Sequence, residues 1–112
     1  MEQQSAITVR SNTDRRRYEL LDGDTVIGKA HWISYEASAG AQRIFYSTWV
    51  DDAYAGQGLA SRLARDALDD AIDAGLAIVP VCPYMKAWLR KHPDHASHAV
   101  PVRPEHLAAV PA

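Results

Sequence analysis

The residues best placed to do chemistry lie in one run, Thr48-Trp49-Val50-Asp51-Asp52-Ala53-Tyr54-Ala55-Gly56-Gln57-Gly58-Leu59-Ala60-Ser61-Arg62-Leu63. An extended, aromatic and β-branched stretch leads through two glycines straight into an amphipathic helix. The first N–H groups of a helix have no internal partner, and the peptide dipoles place partial positive charge there. Glycines at 56 and 58 let a ligand come close to the backbone. The chemistry implied is anion binding, most simply of a phosphate or pyrophosphate. Gly-x-Gly alone is also the mark of an ordinary strand–helix turn. Two phosphate motifs are excluded. No Gly-Lys-Ser/Thr follows, so this is not a nucleoside-triphosphatase loop. Position 61 is Ser where a dinucleotide fingerprint closes on Gly or Ala, and three strands precede the motif instead of one.

Three other groups carry reactive residue types. Cys82 stands at a strand end just before Pro83 and the last helix, where a thiol can have a lowered pKa. The same position suits a small buried apolar residue. His92, His95 and His98 recur every third residue with Asp94 between. Zinc needs three or four converging ligands. Pro93 breaks the helix that would align them, and Cys82 has no CxxC partner. The reading is no metal site, with these histidines solvated or capping. Arg15-Arg16-Arg17 can meet a phosphate, or serve as a solvated strand edge that discourages pairing.

The elements that position these residues follow from periodicity. Ile7 to Arg10 reads as a short edge strand. Tyr18 to Leu21 is a second strand, and Asp22-Gly23-Asp24 predicts a hairpin with a type I′ turn. Thr25 to Tyr35 is the return strand, Glu36 to Ala41 a loop, and Arg43 to Val50 a third long strand. From Gln57 to Ala74, Ser61, Arg62, Arg65, Asp66, Asp69, Asp70 and Asp73 mark one helical face. Leu59, Ala60, Leu63, Ala64, Ala67, Leu68, Ala71 and Ile72 mark the other. Its alanines imply close packing on a sheet, and Gly75 suits the position after the helix end. Leu76 to Val81 is a short apolar strand buried on both faces. Pro83 opens a helix over Tyr84 to Lys91, and Pro93 stops it. From Ala96 onward, prolines interrupt a weakly apolar tail. The order β-β-β-β-α-β-α is an α+β fold, a mixed and mainly antiparallel sheet with two principal helices. The β-α-β unit is expected to be parallel and right-handed.

Composition narrows the function classes. One domain is expected from 112 residues. Ile, Leu, Val and Phe number only 23, and 19 alanines with three Trp and five Tyr complete the apolar set. A net charge of −2 argues against a nucleic-acid or anionic-membrane partner. A single cysteine excludes an internal disulfide and points to a reducing compartment. The polar start Met1 to Ser5 has no signal-peptide pattern, and no apolar run approaches the ~20 residues of a membrane span. A cytoplasmic protein is expected.

Ala55-Gly56-Gln57-Gly58-Leu59-Ala60 resembles the pyrophosphate loop of the GNAT superfamily of N-acetyltransferases, Gln/Arg-x-x-Gly-x-Gly/Ala. Thr48-x-Val50, Leu63, Ala67-Leu68-x-x-Ala71, Gly75-Leu76, Val79-Pro80-x-Cys82-Pro83 and His92-Pro93-Asp94 resemble its short YjdJ-type branch. The match runs from about Tyr18 to Asp94, giving a minimal domain over residues 1–98 and a Pro-containing tail over 99–112.

The resemblance implies acetyl-CoA as cofactor and an amine, on a small molecule or a protein, as acceptor. Val50 would offer its backbone N–H to the thioester oxygen. Gly56, Gln57, Gly58, Leu59 and Ala60 would hold the pyrophosphate with Ser61 beside them, and Trp49, Cys82 and Trp88 would line the slot. The amine would attack the thioester directly; Cys82 as an acetyl relay and Tyr84 as a proton donor are the catalytic candidates. Ala55 replaces the Gln or Arg that opens the loop pattern, Ser47 stands where the branch has His, and Trp88 stands where many members have a Tyr acid. These departures and the short chain keep a CoA-binding sensor or protein-interaction domain as the alternative, and a homodimer as one way to complete an acceptor site.

Overall fold

A computed structural model describes residues 6–111; the polar start Met1 to Ser5 lies outside the described residues. Five strands form one sheet in the order β1-β2-β3-β4-β5. They are β1 (Ile7–Asn12), β2 (Arg17–Asp22), β3 (Thr25–Ala37), β4 (Gly40–Val50) and β5 (Ala77–Pro80). The first four run antiparallel in sequence order, and β5 joins β4 in parallel. Helix α1 (Leu59–Asp73) makes the β4-to-β5 crossover, α2 (Pro83–Arg90) follows β5, and α3 (Pro93–Ala96) and α4 (Pro104–Ala109) are short. The expected α+β architecture is present, with two small helices added. Among the described residues no helix is long and apolar enough to cross a membrane.

The inner face of the sheet carries Tyr18, Leu20, Ala30, Trp32, Phe45 and Ile78. Leu63, Ala64, Ala67, Leu68 and Ala71 of α1 are buried against it. Each full Leu burial contributes ~1.5–3 kcal/mol, and the three alanines let the helix sit close. Gly75 (φ 77°) ends α1 as expected. Leu76 N–H reaches Ala71 C=O at 3.0 Å and Gly75 N–H reaches Ile72 C=O at 2.9 Å, a Schellman closure.

Several local expectations are corrected. The β2–β3 turn has positive φ at Gly23 (59°) and not at Asp24, the pattern of a type II′ turn and not I′. Residues 36–41 are not a loop: Glu36 pairs with Ala41 and Ala37 with Gly40, leaving a two-residue turn. Backbone pairing there continues through small polar residues that carry no apolar alternation. Ile27 joins the core because Leu20 pairs with Gly28 and Leu21 with Val26, which leaves Ile27 as a bulge turned inward. Pro93 ends one helix and also begins α3. The tail is not featureless. Ile78 N–H bonds His98 C=O and Val100 N–H bonds Ile78 C=O, both at 2.9 Å, so residues 98–100 cover the outer edge of β5. In α4, His106 is buried.

Candidate active site

Strands β4 and β5 part company at Phe45. Its carbonyl accepts from both Val81 N–H (3.0 Å) and Cys82 N–H (2.9 Å). Their ladder ends at Phe45 opposite Pro80, and β4 runs on to Val50. A register shift makes Tyr46 the extra residue of a bulge at the same place. Asp51 N–H bonds Ile27 C=O at 2.7 Å, and Gly28 lies opposite Val50. By the alternation of an antiparallel ladder, Thr48 and Val50 therefore turn their N–H and C=O groups away from β3, toward the split.

After Val50 the chain makes a single 3-10 turn, Asp52–Tyr54, capped by Asp51, whose side chain accepts from Ala53 N–H at 2.9 Å. The Tyr54 hydroxyl donates to Asp22 and ties this turn to the β2–β3 hairpin. Gly56 (φ 80°) and Gly58 (φ 73°) then take left-handed conformations, and Gly58 caps α1 with no side-chain hydrogen bond. A Cβ added at either glycine would meet nothing within 4 Å. Backbone conformation and not crowding demands glycine here, and the space in front of the loop is open. The N–H groups of Leu59, Ala60 and Ser61 open α1 without an intrahelical partner.

The open space is a cavity of about 280 Å³ bounded by Val50, Asp51, Tyr54, Ala55, Gly56, Gly58, Leu59, Ala60, Ser61 and Tyr84. A second hollow of about 200 Å³ adjoins it through Ser61 and Tyr84 and is lined further by Ala87, Trp88, Lys91 and His92. Of the sequence-predicted residues, seven thus meet at the main cavity: Val50, Gly56, Gly58, Leu59, Ala60, Ser61 and Tyr84. Gln57 is exposed at the loop tip. Trp88 is buried beside the second hollow and its Nε1 donates to Ser61 Oγ at 2.9 Å. Cys82 is 4% exposed, and its thiol donates to Thr48 Oγ1 at 3.3 Å across the split. Trp49 is 47% exposed with Lys29 Nζ 5.7 Å above its ring. Alternation places it on the outer face of the sheet, turned from the cavity. Asp51 and Tyr54 line the cavity with no site role expected from the sequence, and Ala55 lines it where the loop pattern has Gln or Arg. The capping Asp ahead of the glycines was the available signal.

Burial raises the Tyr84 phenol above its ordinary value. The Tyr54 phenol is also raised, by its hydrogen bond to Asp22. Among the described residues no three His, Cys, Asp or Glu side chains converge as a metal site requires. His92 is stacked on Trp88, His95 bonds Asp69 at 2.7 Å, and His98 is exposed. Arg15 and Arg16 lie in the β1–β2 turn, at the end of β2 away from Asp22 and Tyr54. They do not approach the cavity.

The mixed, mainly antiparallel sheet and the glycine turn that opens α1 are consistent with a GNAT-like fold. The comparison with family models agrees: the GCN5-related N-acetyl-transferase family matches residues 17–98, and the chain belongs to that family. Among curated proteins none matches it. It is therefore an acetyltransferase of the N-acetyltransferase class.

Proposed function

We propose that the protein transfers the acetyl group of acetyl-CoA to a primary amine by direct attack on the thioester. One observation carries the reading: α1 opens, with no side-chain cap, onto a cavity whose opposite wall is the free edge of β4 at Val50. The residues present fit CoA. Unpartnered N–H groups from Gly56 to Ser61 suit a pyrophosphate, and the split between β4 and β5 suits an extended amide-bearing arm. Val50 N–H is the donor for the thioester oxygen, where negative charge develops. Bound acetyl-CoA supplies an activated acyl group on a fair leaving thiol (pKa about 8.5). Positioning and this donor provide most of the acceleration. The Tyr84 phenol holds a proton at the junction of the two hollows for the departing sulfur. Cys82, whose S–H is engaged by Thr48, closes the base of the split.

The acceptor is a small-molecule or protein amine. Residues 13–16 form only a turn, so the chain builds little acceptor pocket there, and a macromolecular acceptor or a second subunit would complete it. Within the family we assign the short YjdJ-type branch, on Val79-Pro80-x-Cys82-Pro83 and His92-Pro93-Asp94. We place the enzyme in the cytoplasm, a location supported by its one free cysteine.

Thermal unfolding with acetyl-CoA, free CoA and ATP tests the reading. Ligand near 100 times its dissociation constant stabilises by ~2.7 kcal/mol, which raises the midpoint of a domain this size by roughly 10 °C. A shift with both CoA forms and not ATP is expected, with thiol release once an amine is added. No shift at millimolar CoA overturns the reading.

A further inference from the structure

Trp88 Nε1 donates to Ser61 Oγ at 2.9 Å, joining α2 to the first turn of α1. A hydroxyl has one hydrogen to give and lone pairs to receive. Because Trp88 donates to its oxygen, Ser61 keeps its own hydrogen for another acceptor, either the Tyr84 phenol oxygen beside it or an anion arriving at the helix opening. Ser61 stands in the wall shared by the two hollows, beside the unpartnered N–H groups of the helix opening. Trp88 has little freedom. Its ring is stacked on His92 at 3.6 Å and 9°, and His92 Nδ1 donates to Trp88 C=O at 2.7 Å. The His95 ring meets it edge-on at 4.9 Å, and the Arg65 guanidinium lies 5.3 Å from its centre. With its one N–H engaged by Ser61, the indole has no proton to offer a substrate.

We infer that Trp88 is a positioning residue: its indole N–H fixes the Ser61 hydroxyl as a donor to the CoA pyrophosphate held at the opening of α1. Part of the affinity for CoA is then set from α2 by a residue that does not itself touch the phosphates. This rests on the CoA reading above.

Calorimetric titration of CoA into wild type, Trp88→Phe, Ser61→Ala and the double variant tests it. Each single change is expected to weaken binding roughly 3- to 10-fold. The double variant is expected to bind within about twofold of Ser61→Ala, because both changes remove one interaction. Multiplying effects, or unchanged affinity in Trp88→Phe, would overturn the inference while leaving CoA binding intact. Wild type that binds no CoA overturns the parent reading and this inference together. A Trp88 that only supports the fold would lower the melting temperature without that coupling. Should Trp88→Phe not fold, the indole ¹⁵N–H resonance of Trp88 answers instead. CoA must move it in wild type and leave it nearly still in Ser61→Ala; a signal unmoved in wild type sinks the idea.

Discussion

Tyr84 stands where the two hollows meet, and burial holds its phenol above the ordinary value near 10. A proton donor works only while protonated. The raised pKa therefore keeps it competent through neutral pH, and its contribution disappears only as pH climbs through that raised value. Tyr84→Phe is expected to lower kcat by ~10²-fold with KM for acetyl-CoA little changed. A pH–rate profile would show the alkaline loss in wild type and not in the variant; an unchanged kcat removes the phenol from the chemistry. Cys82 leads to the opposite expectation. Its sulfur is buried and its hydrogen engaged by Thr48. Cys82→Ala is expected to keep turnover at a stability cost of ~1 kcal/mol. Single-turnover intact mass should show no acetyl adduct of ~42 Da; an adduct would put a thioester relay in place of direct attack. At this scale the glycines and Ser61 were legible because local conformation and helix ends are written in adjacent residues. The Trp88–Ser61 and Tyr54–Asp22 contacts were not, because each joins side chains far apart in the chain, and only packing brings them together.

The strand–turn–helix element turns on Gly58, whose φ of 73° an L side chain adopts at a cost of ~1–2 kcal/mol. Since an added Cβ meets nothing within 4 Å, Gly58→Ala isolates that backbone cost. Its melting midpoint is expected to fall by roughly 4–10 °C. Gly58→Asp adds a carboxylate where the pyrophosphate belongs, so CoA binding should be lost well beyond the effect of Ala. Equal affinity in the two variants would move the anion site elsewhere. At the other edge, the β1–β2 pairing depends on Glu19, which is 1% exposed. Arg10 and Arg17 each donate to it at 2.7 Å, and Asn12 at 3.1 Å. Burial alone would raise its pKa, but these three donors outweigh burial and hold it below the ordinary value. A lowered carboxylate pKa stabilises above the unfolded value of ~4.3, and that stability fades as pH falls through the folded value. Glu19→Gln is expected to lose ~1–3 kcal/mol at pH 7. Urea midpoints of wild type and variant should converge below about pH 4. Helix α1 was readable because its apolar stripe repeats at helical spacing, whereas the long β3–β4 hairpin was underestimated. Its distal half is held by backbone hydrogen bonds between residues such as Glu36, Ala37, Gly40 and Ala41 that show no strand alternation.

Across the whole molecule, the sheet divides the labour between its two ends. The candidate site occupies the Val50 end of β4, while the C-terminal segment braces the Gln42 end, eight residues away in the same strand, roughly 26 Å at 3.3 Å per residue. The topology was legible as a class because a β-α-β unit after a run of antiparallel strands leaves few alternatives. The brace was not, because three prolines read as interruptions until His106 is seen inside the fold. Arg103 N–H donates to His106 Nδ1 at 3.0 Å, so Nε2 carries the hydrogen and donates it to Gln42 Oε1 at 2.8 Å. Tyr35 packs against the imidazole edge-on at 4.8 Å. His106→Ala strips the partner from a buried amide and leaves a void, a combined loss of ~2–3 kcal/mol. That corresponds to a fall in melting midpoint of roughly 10 °C or more. CoA affinity at a temperature where the variant is folded is expected to match wild type, since nothing at the α1 opening has changed. The two quantities are read separately, by a melt without ligand and a titration with CoA. Affinity that falls along with stability would mean that the tail props the split between β4 and β5, and the two ends of the sheet would have to be treated as one cooperative unit.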